Sequence, residues 1–279
     1  MAEAIEESKP PRDRRRPVQI RTIEVGRQRL RVGVWKGIGT RPPLLLFNGI
    51  GTGFETLTPF AAALPDIETI AFDVPGAGDS PAPSYPYRLW MMANLASRLL
   101  DNLGYGQVDA LGVSWGGTLA QQFALQNPVR CRRLILAATV PSPMVPGRLS
   151  VLREFLTPRR MNDSDHLRAV GGHIYGGAVR IQPELSHGVT PANGRVNKKG
   201  YLYQQLALLG WVSAFWLPML TQKTLIMAGR DDPIVPLANA RLLRLLIKGS
   251  RLQIYDDGHL FMISNAEAAS QTVESFLRD

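Results

Sequence analysis

GVSWG, at residues 112–116, is the stretch of sequence that decides the predicted fold. A Gly-x-Ser-x-Gly pentapeptide between a strand and a helix holds its serine, here Ser114, on a tight turn, because glycines lack the Cβ atoms that would collide there. Residues 108–113 (VDALGV) are typical of a buried strand, and residues 117–126 (GTLAQQFALQ) are typical of a helix. This context favours an exposed nucleophile over the alternative, an ordinary strand-to-helix turn.

Apolar strands alternate with amphipathic helices on both sides of this turn, which predicts an α/β fold with a mostly parallel sheet and helices on both faces. Residues 17–37 alternate apolar and polar types around a turn at 26–28, which predicts a β-hairpin ahead of the first parallel strand. The further predicted strands are 42–47, 67–74, 133–138, 223–228 and 251–255, and the further predicted helices are 87–103, 236–247 and 266–278. Sheets of this kind place their chemistry at the carboxyl ends of their strands.

The alternation is interrupted between residues 141 and 222, a region richer in Pro, Gly and Arg, with short helical patterns and no clear strand. We expect this region to form a helical cap insertion over the active-site end of the sheet. Residues 17–140 and 223–279 then make up the α/β core on either side of the insertion. Residues 1–16 are charged and contain proline, so we expect them to form a disordered tail.

Composition narrows the class of protein. A hydrophobic fraction of 45% is ample for a large core, and 279 residues suit one α/β domain with an insertion. No stretch approaches the roughly 18 apolar residues of a membrane span, and the first residues lack the apolar run of a signal peptide. The single cysteine, Cys131, excludes an internal disulfide and fits a reducing compartment. We therefore expect a cytoplasmic protein without a membrane span.

The formal charge of +9 is concentrated in the insertion. Residues 141–220 carry nine basic and four acidic residues, a net charge of +5, whereas residues 1–17 net only +1. No helix-turn-helix, zinc-finger or RNA-binding motif accompanies the charge, which favours a solvated basic surface over a nucleic-acid partner. Attraction to an anionic surface or particle remains an alternative.

His259 is the candidate base for Ser114. A serine hydroxyl is a poor nucleophile unless a base removes its proton, and that base must itself be oriented by a partner. His259 alone of the four histidines follows a predicted sheet strand, where an imidazole can reach the nucleophile. The other three, His166, His173 and His187, fall in the insertion at a spacing that suits no usual metal site.

The acid that orients this histidine is expected after the strand in LIMAGRDDPIVP, residues 225–236. Asp232 is preferred because it precedes a proline, which holds it in an extended conformation. Asp231 remains an alternative as its immediate neighbour. Asp256 and Asp257 precede the histidine directly and are less well placed to orient it. The resulting order along the chain, serine then acid then histidine, is that of α/β enzymes with this turn.

Acyl transfer also needs hydrogen-bond donors for the oxyanion that develops in the transition state. One donor is expected to be the amide of Trp115, directly after the nucleophile. The second is expected in the loop NGIG at 48–51, where we choose the amide of Ile50. The alternative for this loop is a plain turn, but the predicted winding of the sheet brings it beside Ser114.

Over residues 17–279 the chain resembles the α/β-hydrolase superfamily. The segments that carry the resemblance are FNGIG at 47–51, FDVPGAGDS at 72–80, GVSWGG at 112–117, GRDDPIVP at 229–236 and DGH at 257–259. Within the superfamily, it is similar to the intracellular depolymerases of medium-chain-length poly(3-hydroxyalkanoates). The longer segments behind that similarity include LLLFNGIGTGFE at 44–55, DNLGYGQVDALGVSWGGTLAQQFA at 101–124, IYGG at 174–177 and DDGHLF at 256–261.

This resemblance implies hydrolysis of 3-hydroxyacyl ester bonds in a stored, water-insoluble polyester. It implies action at the surface of cytoplasmic granules without a cofactor or metal. It also assigns the family's serine, aspartate and histidine to Ser114, Asp232 and His259. The charged tail and residues 183–200 do not match the family pattern.

Other functions remain open on the residues alone. The same triad serves small-molecule carboxylesterases and cofactor-free haloperoxidase-like enzymes, whereas a non-catalytic granule-binding protein is disfavoured by the intact triad. An apolar cluster near the end of the insertion fits either the cap's own core, which is favoured, or an exposed face that docks on polymer. Its members are Trp211, Phe215, Trp216, Leu217 and Met219.

Overall fold

A computed structural model describes residues 16–142, 144–190 and 196–279 of the chain, which form one eight-stranded sheet with helices around it. The strands are β1 (Val18–Val25), β2 (Gln28–Trp35), β3 (Leu44–Phe47), β4 (Thr69–Phe72), β5 (Val108–Val113), β6 (Cys131–Ala137), β7 (Lys223–Gly229) and β8 (Arg251–Tyr255). Their order across the sheet is β1-β2-β4-β3-β5-β6-β7-β8. The hairpin β1–β2 and the pair β2–β4 are antiparallel, and all later neighbours are parallel.

The helices lie between these strands and in the segment that separates β6 from β7. The α-helices are α1 (Thr58–Ala62), α2 (Leu89–Leu103), α3 (Trp115–Gln126), α4 (Leu149–Arg153), α5 (Arg159–Asn162), α6 (Ser164–Tyr175), α7 (Lys198–Leu208), α8 (Leu237–Leu246), α9 (Phe261–Ser264) and α10 (Ala266–Arg278). Short 3-10 helices cover Phe54–Leu57, Gly177–Arg180, Pro183–Val189 and Leu217–Met219.

Two apolar cores cover the two faces of the sheet. On one face, α2, α3 and α8 pack their buried side chains against inward-facing residues of the strands. On the other face, α1 and α10 do the same. Burial on both sides explains why the parallel strands read as continuous apolar runs in the sequence. The prediction of an α/β fold with a mostly parallel sheet and helices on both faces is confirmed.

Several element boundaries differ from the predicted ones by one or two residues, and two of these differences have a plain cause. The helix after the pentapeptide begins at Trp115 rather than at residue 117, because Ser114 reverses the chain within one residue and the helix follows at once. The strand predicted over 67–74 covers only Thr69–Phe72, since the residues after it form the turn PGAG instead of continuing the ladder.

The segment between β6 and β7 contains helices and, within the described ranges, no strand. Its apolar side chains, among them Leu167, Ile174 and Val179, form a cluster with Ile234 and Leu260 of the sheet domain. The segment is therefore packed on the end of the sheet that carries the loops after β7 and β8. Its division from the core at residues 141 and 222 stays a prediction.

The tail prediction covers mostly residues 1–15, which lie outside the described residues. Arg16 is the one residue of the predicted tail that the structure describes. The Arg16 guanidinium donates hydrogen bonds to the backbone carbonyls of Ala61 at 2.7 Å, Lys36 at 2.8 Å and Ile67 at 3.1 Å. These carbonyls belong to α1 and to the segments after β2 and before β4, so this arginine joins three separate parts of the chain.

Some members of the apolar cluster near residue 215 are buried, and others are exposed as a docking face would be. Trp211 and Trp216 pack edge to face with ring centroids 5.9 Å apart and lie against the core, and Leu217 is fully buried. In contrast, 85% of Phe215 and 68% of Met219 are exposed. The two indole rings thus pack against the core, while Phe215 and Met219 face solvent.

Candidate active site

Ser114 lies on a strained turn between β5 and α3, with φ at 55° and ψ at −119°. Residues other than glycine rarely adopt a positive φ, and a strained backbone of this kind persists only where the surrounding structure enforces it. The flanking glycines enforce it here. A Cβ atom on Gly112 would lie 2.2 Å from the Gly116 carbonyl oxygen, and one on Gly116 would lie 2.1 Å from the Phe47 carbonyl oxygen. Only glycine at both positions lets the turn close.

His259 and Asp232 form a buried pair. The His259 Nδ1–H donates to Asp232 Oδ2 at 2.7 Å, and both residues are 6% exposed. The other oxygen of Asp232 accepts backbone N–H groups of Ile234 at 2.9 Å and Val235 at 2.8 Å. These bonds hold the carboxylate at the end of β7 and fix the imidazole so that Nε2 is its free nitrogen.

The neighbouring aspartates make other contacts. Asp231 accepts two hydrogen bonds from the Arg180 guanidinium, at 2.8 and 3.1 Å, and this exposed pair holds its pKa below the usual range. Asp257 accepts the backbone N–H of Ala178 at 2.9 Å, and Asp256 pairs with Arg230 at 2.6 Å. Of the four candidate acids, the structure brings only Asp232 into hydrogen-bond contact with His259.

Ser114 and His259 line one cavity of about 50 Å³, between the sheet and the segment that follows β6. Other residues of its wall are Ile50, Phe155, Arg160 and Tyr175. No hydrogen bond joins the Ser114 hydroxyl to His259 among the described residues; such bonds are often long in enzymes without substrate. A cavity of this volume has room for only a few water molecules.

The amides of Ile50 and Trp115 are free to donate. In the described residues neither N–H has an acceptor, whereas the Gly49 and Gly51 amides on either side of Ile50 bond to side chains at 2.8 and 2.9 Å. The loop after β3 passes beside the nucleophile, since a Cβ atom on Gly49 would lie 3.8 Å from Ser114 Cβ. The amides of Ile50 and Trp115 are therefore still the candidate oxyanion donors.

Gln204, on α7, was not identified from the sequence. Its side-chain oxygen accepts the Gly51 amide at 2.9 Å, and its backbone carbonyl accepts the Trp115 indole N–H at 2.8 Å. One buried residue therefore contacts both loops that carry the candidate oxyanion donors. A lone glutamine within a helix carries no sequence signal that distinguishes it from a surface residue.

Arg160 and Tyr175 were missed as well. Both are buried in the wall of the cavity, and the Tyr175 ring stacks beside the His259 imidazole with centroids 6.4 Å apart. The backbone carbonyl of Tyr175 also accepts a hydrogen bond from the backbone N–H of His259 at 2.7 Å. Arginine in the sequence PRRMN gives no indication of burial, since arginine is mostly exposed in proteins.

The remaining histidines lie away from this cavity. His166 contacts the Glu154 carboxylate at 2.7 Å, and His173 contacts the Ser150 hydroxyl at 3.1 Å. Across residues 16–142, 144–190 and 196–279, no group of His, Cys, Asp and Glu side chains is placed to hold a metal ion.

No helix in the described part of the chain has the length and apolar character needed to cross a membrane.

Comparisons with known proteins agree on the fold. The profile of the alpha/beta hydrolase fold family matches residues 42–266. The chain is 48% identical over 266 residues to a poly(3-hydroxyalkanoate) depolymerase of Ectopseudomonas oleovorans, covering 94% of this chain and 93% of that protein. It is 25% identical to 3-oxoadipate enol-lactonase 2 of Acinetobacter baylyi, over 87% of this chain and 91% of the relative. Among solved structures, an enol-lactonase from Burkholderia xenovorans superimposes with a TM-score of 0.80 at 22% identity, covering 93% and 100% of the two chains.

Proposed function

This chain belongs to the α/β-hydrolase fold family, and we propose that it hydrolyses the ester bonds of poly(3-hydroxyalkanoate) through an acyl-serine intermediate. The expected family and its expected hydrolase activity are confirmed by the profile match and by the depolymerase relative at 48% identity. One observation carries the proposed chemistry: the His259 imidazole, held by a buried 2.7 Å hydrogen bond to Asp232, lines the same cavity as the strained Ser114.

The reaction follows from these positions. His259 Nε2 takes the proton as Ser114 Oγ bonds to the ester carbonyl carbon. The amides of Ile50 and Trp115 donate to the carbonyl oxygen as it becomes negative. The ester C–O bond then breaks, and His259 returns the proton to the leaving oxygen. Water attacks the acyl-serine with the same base and donors, which releases the 3-hydroxyacyl acid and regenerates the serine hydroxyl.

Asp232 keeps the imidazole in the tautomer with Nδ1 protonated and stabilises the imidazolium that forms in each step. Its Oδ1 is fully occupied by two backbone N–H groups, so the carboxylate cannot rotate away. Every group that the reaction needs is supplied by the polypeptide, and the proposed mechanism requires neither a metal nor a cofactor.

The proposed location is the surface of cytoplasmic polyester granules. Large exposed apolar side chains near the end of the cap support contact with such a surface, because exposed apolar residues gathered in one segment often mark an interaction site. They are Leu209, Val212, Phe215 and Met219. The net charge of +5 in residues 141–220 suits an anionic granule coat.

The test is turnover of emulsified medium-chain polyester compared with short p-nitrophenyl esters. We expect 3-hydroxy acids to be released from the polymer by the wild-type protein and not by Ser114→Ala. Parallel incubation with short-chain polymer reports the side-chain preference. Cleavage of soluble esters alone would contradict the depolymerase and favour a small-molecule carboxylesterase.

A further inference from the structure

Arg160 is a buried cation in the wall of the cavity that holds Ser114. It is 2% exposed, and its guanidinium lies over the Phe155 ring, 3.8 Å from the ring centroid. A charged group removed from water is costly unless an opposite charge and hydrogen bonds compensate it. The position of this arginine therefore calls for a partner.

The partners that the described residues provide are all neutral. The guanidinium donates to the hydroxyl of Tyr201 at 2.8 Å, to that of Tyr175 at 3.3 Å and to the backbone carbonyl of Glu154 at 3.3 Å. No carboxylate of the described residues lies within 4.0 Å of it, and the Glu154 carboxylate is engaged by His166. The guanidinium thus has hydrogen-bond acceptors and aromatic rings around it, but no anionic partner among the described residues.

Tyr175 connects this charge to the candidate catalytic histidine. Its ring stacks on the His259 imidazole, while its hydroxyl accepts from Arg160 Nε and has no acceptor for its own hydrogen in the described part of the chain. His259 returns a proton to the leaving oxygen in ester hydrolysis, so the leaving group departs beside this histidine. A leaving group beside His259 is thus in the same cavity as Tyr175 and Arg160.

We propose that Arg160 and the Tyr175 hydroxyl bind the free carboxylate of the leaving 3-hydroxy acid, an assignment that rests on the proposed polyester hydrolysis. In the polymer, the terminal unit carries this carboxylate one monomer beyond the last ester bond. Ser114 Oγ bonds to the acyl carbon of that ester, its C–O bond breaks, and the serine proton passes through His259 to the leaving oxygen. Monomers are then removed singly from the carboxyl end of each chain.

The test measures inhibition of p-nitrophenyl octanoate hydrolysis by 3-hydroxyoctanoate and by its neutral analogue 3-hydroxyoctanamide. We expect the carboxylate to bind the wild-type protein about 10- to 100-fold more tightly, the range for hydrogen bonds to a charged group. Arg160→Met should bring the ratio of the two inhibition constants close to one. Tyr175→Phe should lower it by a smaller factor, because the charge remains.

Arg159→Met is the matched control. Arg159 is the neighbour of Arg160 on α5, but its side chain is 65% exposed and pairs with Asp163, so the ratio should stay at the wild-type value. Equal inhibition constants in the wild-type protein, or an unchanged ratio in folded Arg160→Met, would overturn the proposal. If Arg160→Met does not fold, the wild-type ratio and Tyr175→Phe still decide it. If the wild-type protein binds the carboxylate more tightly than the amide but does not hydrolyse polymer, the carboxylate site is supported and the polyester function is contradicted. If it hydrolyses polymer but the two inhibition constants are equal, only the carboxylate site is contradicted.

Discussion

The sheet and the cap contribute to this cavity in different ways. Ser114, Asp232 and His259 each follow a strand of the parallel sheet, at the edge where the carboxyl ends of β5, β7 and β8 meet. Arg160 and Gln204 come instead from helices of the segment after β6, and they reach the site through buried polar side chains. The sheet therefore supplies the proposed reacting groups, and the cap supplies the groups that we propose position the loops or contact the substrate.

Removing the hydroxyl of the proposed nucleophile, Ser114, gives the largest expected effect. Ser114→Ala should lower kcat for p-nitrophenyl octanoate by about 10⁶-fold, the scale seen when a triad serine is lost. Thermal unfolding should change little, since the hydroxyl makes no hydrogen bond among the described residues. Residual activity within tenfold of wild type would mean that the chemistry lies elsewhere.

Two adjacent aspartates give the next comparison. Asp232→Asn should reduce kcat by about 10⁴-fold near neutral pH, because an amide favours the wrong imidazole tautomer. Asp231→Asn is the matched control: it removes a carboxylate one residue away that pairs with Arg180, so kcat should stay near wild type. Steady-state kinetics on both variants checks the assignment, and the reverse order of effects would give the role to Asp231.

The core has a buried charge of its own, Asp73 after β4, which unlike Arg160 has a partner of opposite charge in Arg31 at 3.4 Å. Burial raises the pKa of Asp73 to about 6, against the lowering effect of the Asp79 and Phe54 amides. The folded protein therefore binds this proton more tightly than the unfolded chain, whose carboxyl titrates near 3.8. The stability that protonation adds is complete below pH 4 and is lost as pH rises through 6.

Unfolding in urea between pH 4 and pH 7 tests whether protonation of Asp73 stabilises the folded protein. The free energy of unfolding of the wild-type protein minus that of Asp73→Asn should rise as pH falls, by on the order of 3 kcal/mol in total. The variant is its own control for the other titrating groups. A difference that does not vary with pH would show that Asp73 titrates normally in the folded state.

The cap's effect on the oxyanion loops should be the smallest of these. Gln204→Ala removes the acceptor of the Gly51 amide and leaves the candidate donor Ile50 on a less constrained loop. We expect kcat to fall about tenfold with little change in KM, less than the loss of a direct donor. Gln205→Ala is the control. Gln205 is the next residue on α7, and its side chain donates instead to the Phe155 carbonyl at 2.6 Å. Equal losses from both variants would indicate general damage to the cap.

The site residues that follow sheet strands could be predicted from the sequence, whereas those that come from the cap could not. Strand ends could be located from apolar runs and turn residues, and the glycines at 112 and 116 identified the strained serine between them. The choice of Asp232 over Asp231 rested on one proline, and the contacts of the two side chains agree with it. Arg160 and Gln204 could not be found, because their roles come from burial against parts of the chain far away in sequence.

Acylation of Ser114 by a polyester oligomer tests the central claim most directly. A medium-chain 3-hydroxyalkanoate oligomer is mixed with the protein, the reaction is stopped in acid within milliseconds, and the peptides are analysed by mass spectrometry. We predict a 3-hydroxyacyl or oligo(3-hydroxyacyl) group on Ser114 in the wild-type protein and none in Ser114→Ala. Continued release of 3-hydroxy acid by Ser114→Ala, or an acyl group on another residue, would contradict it.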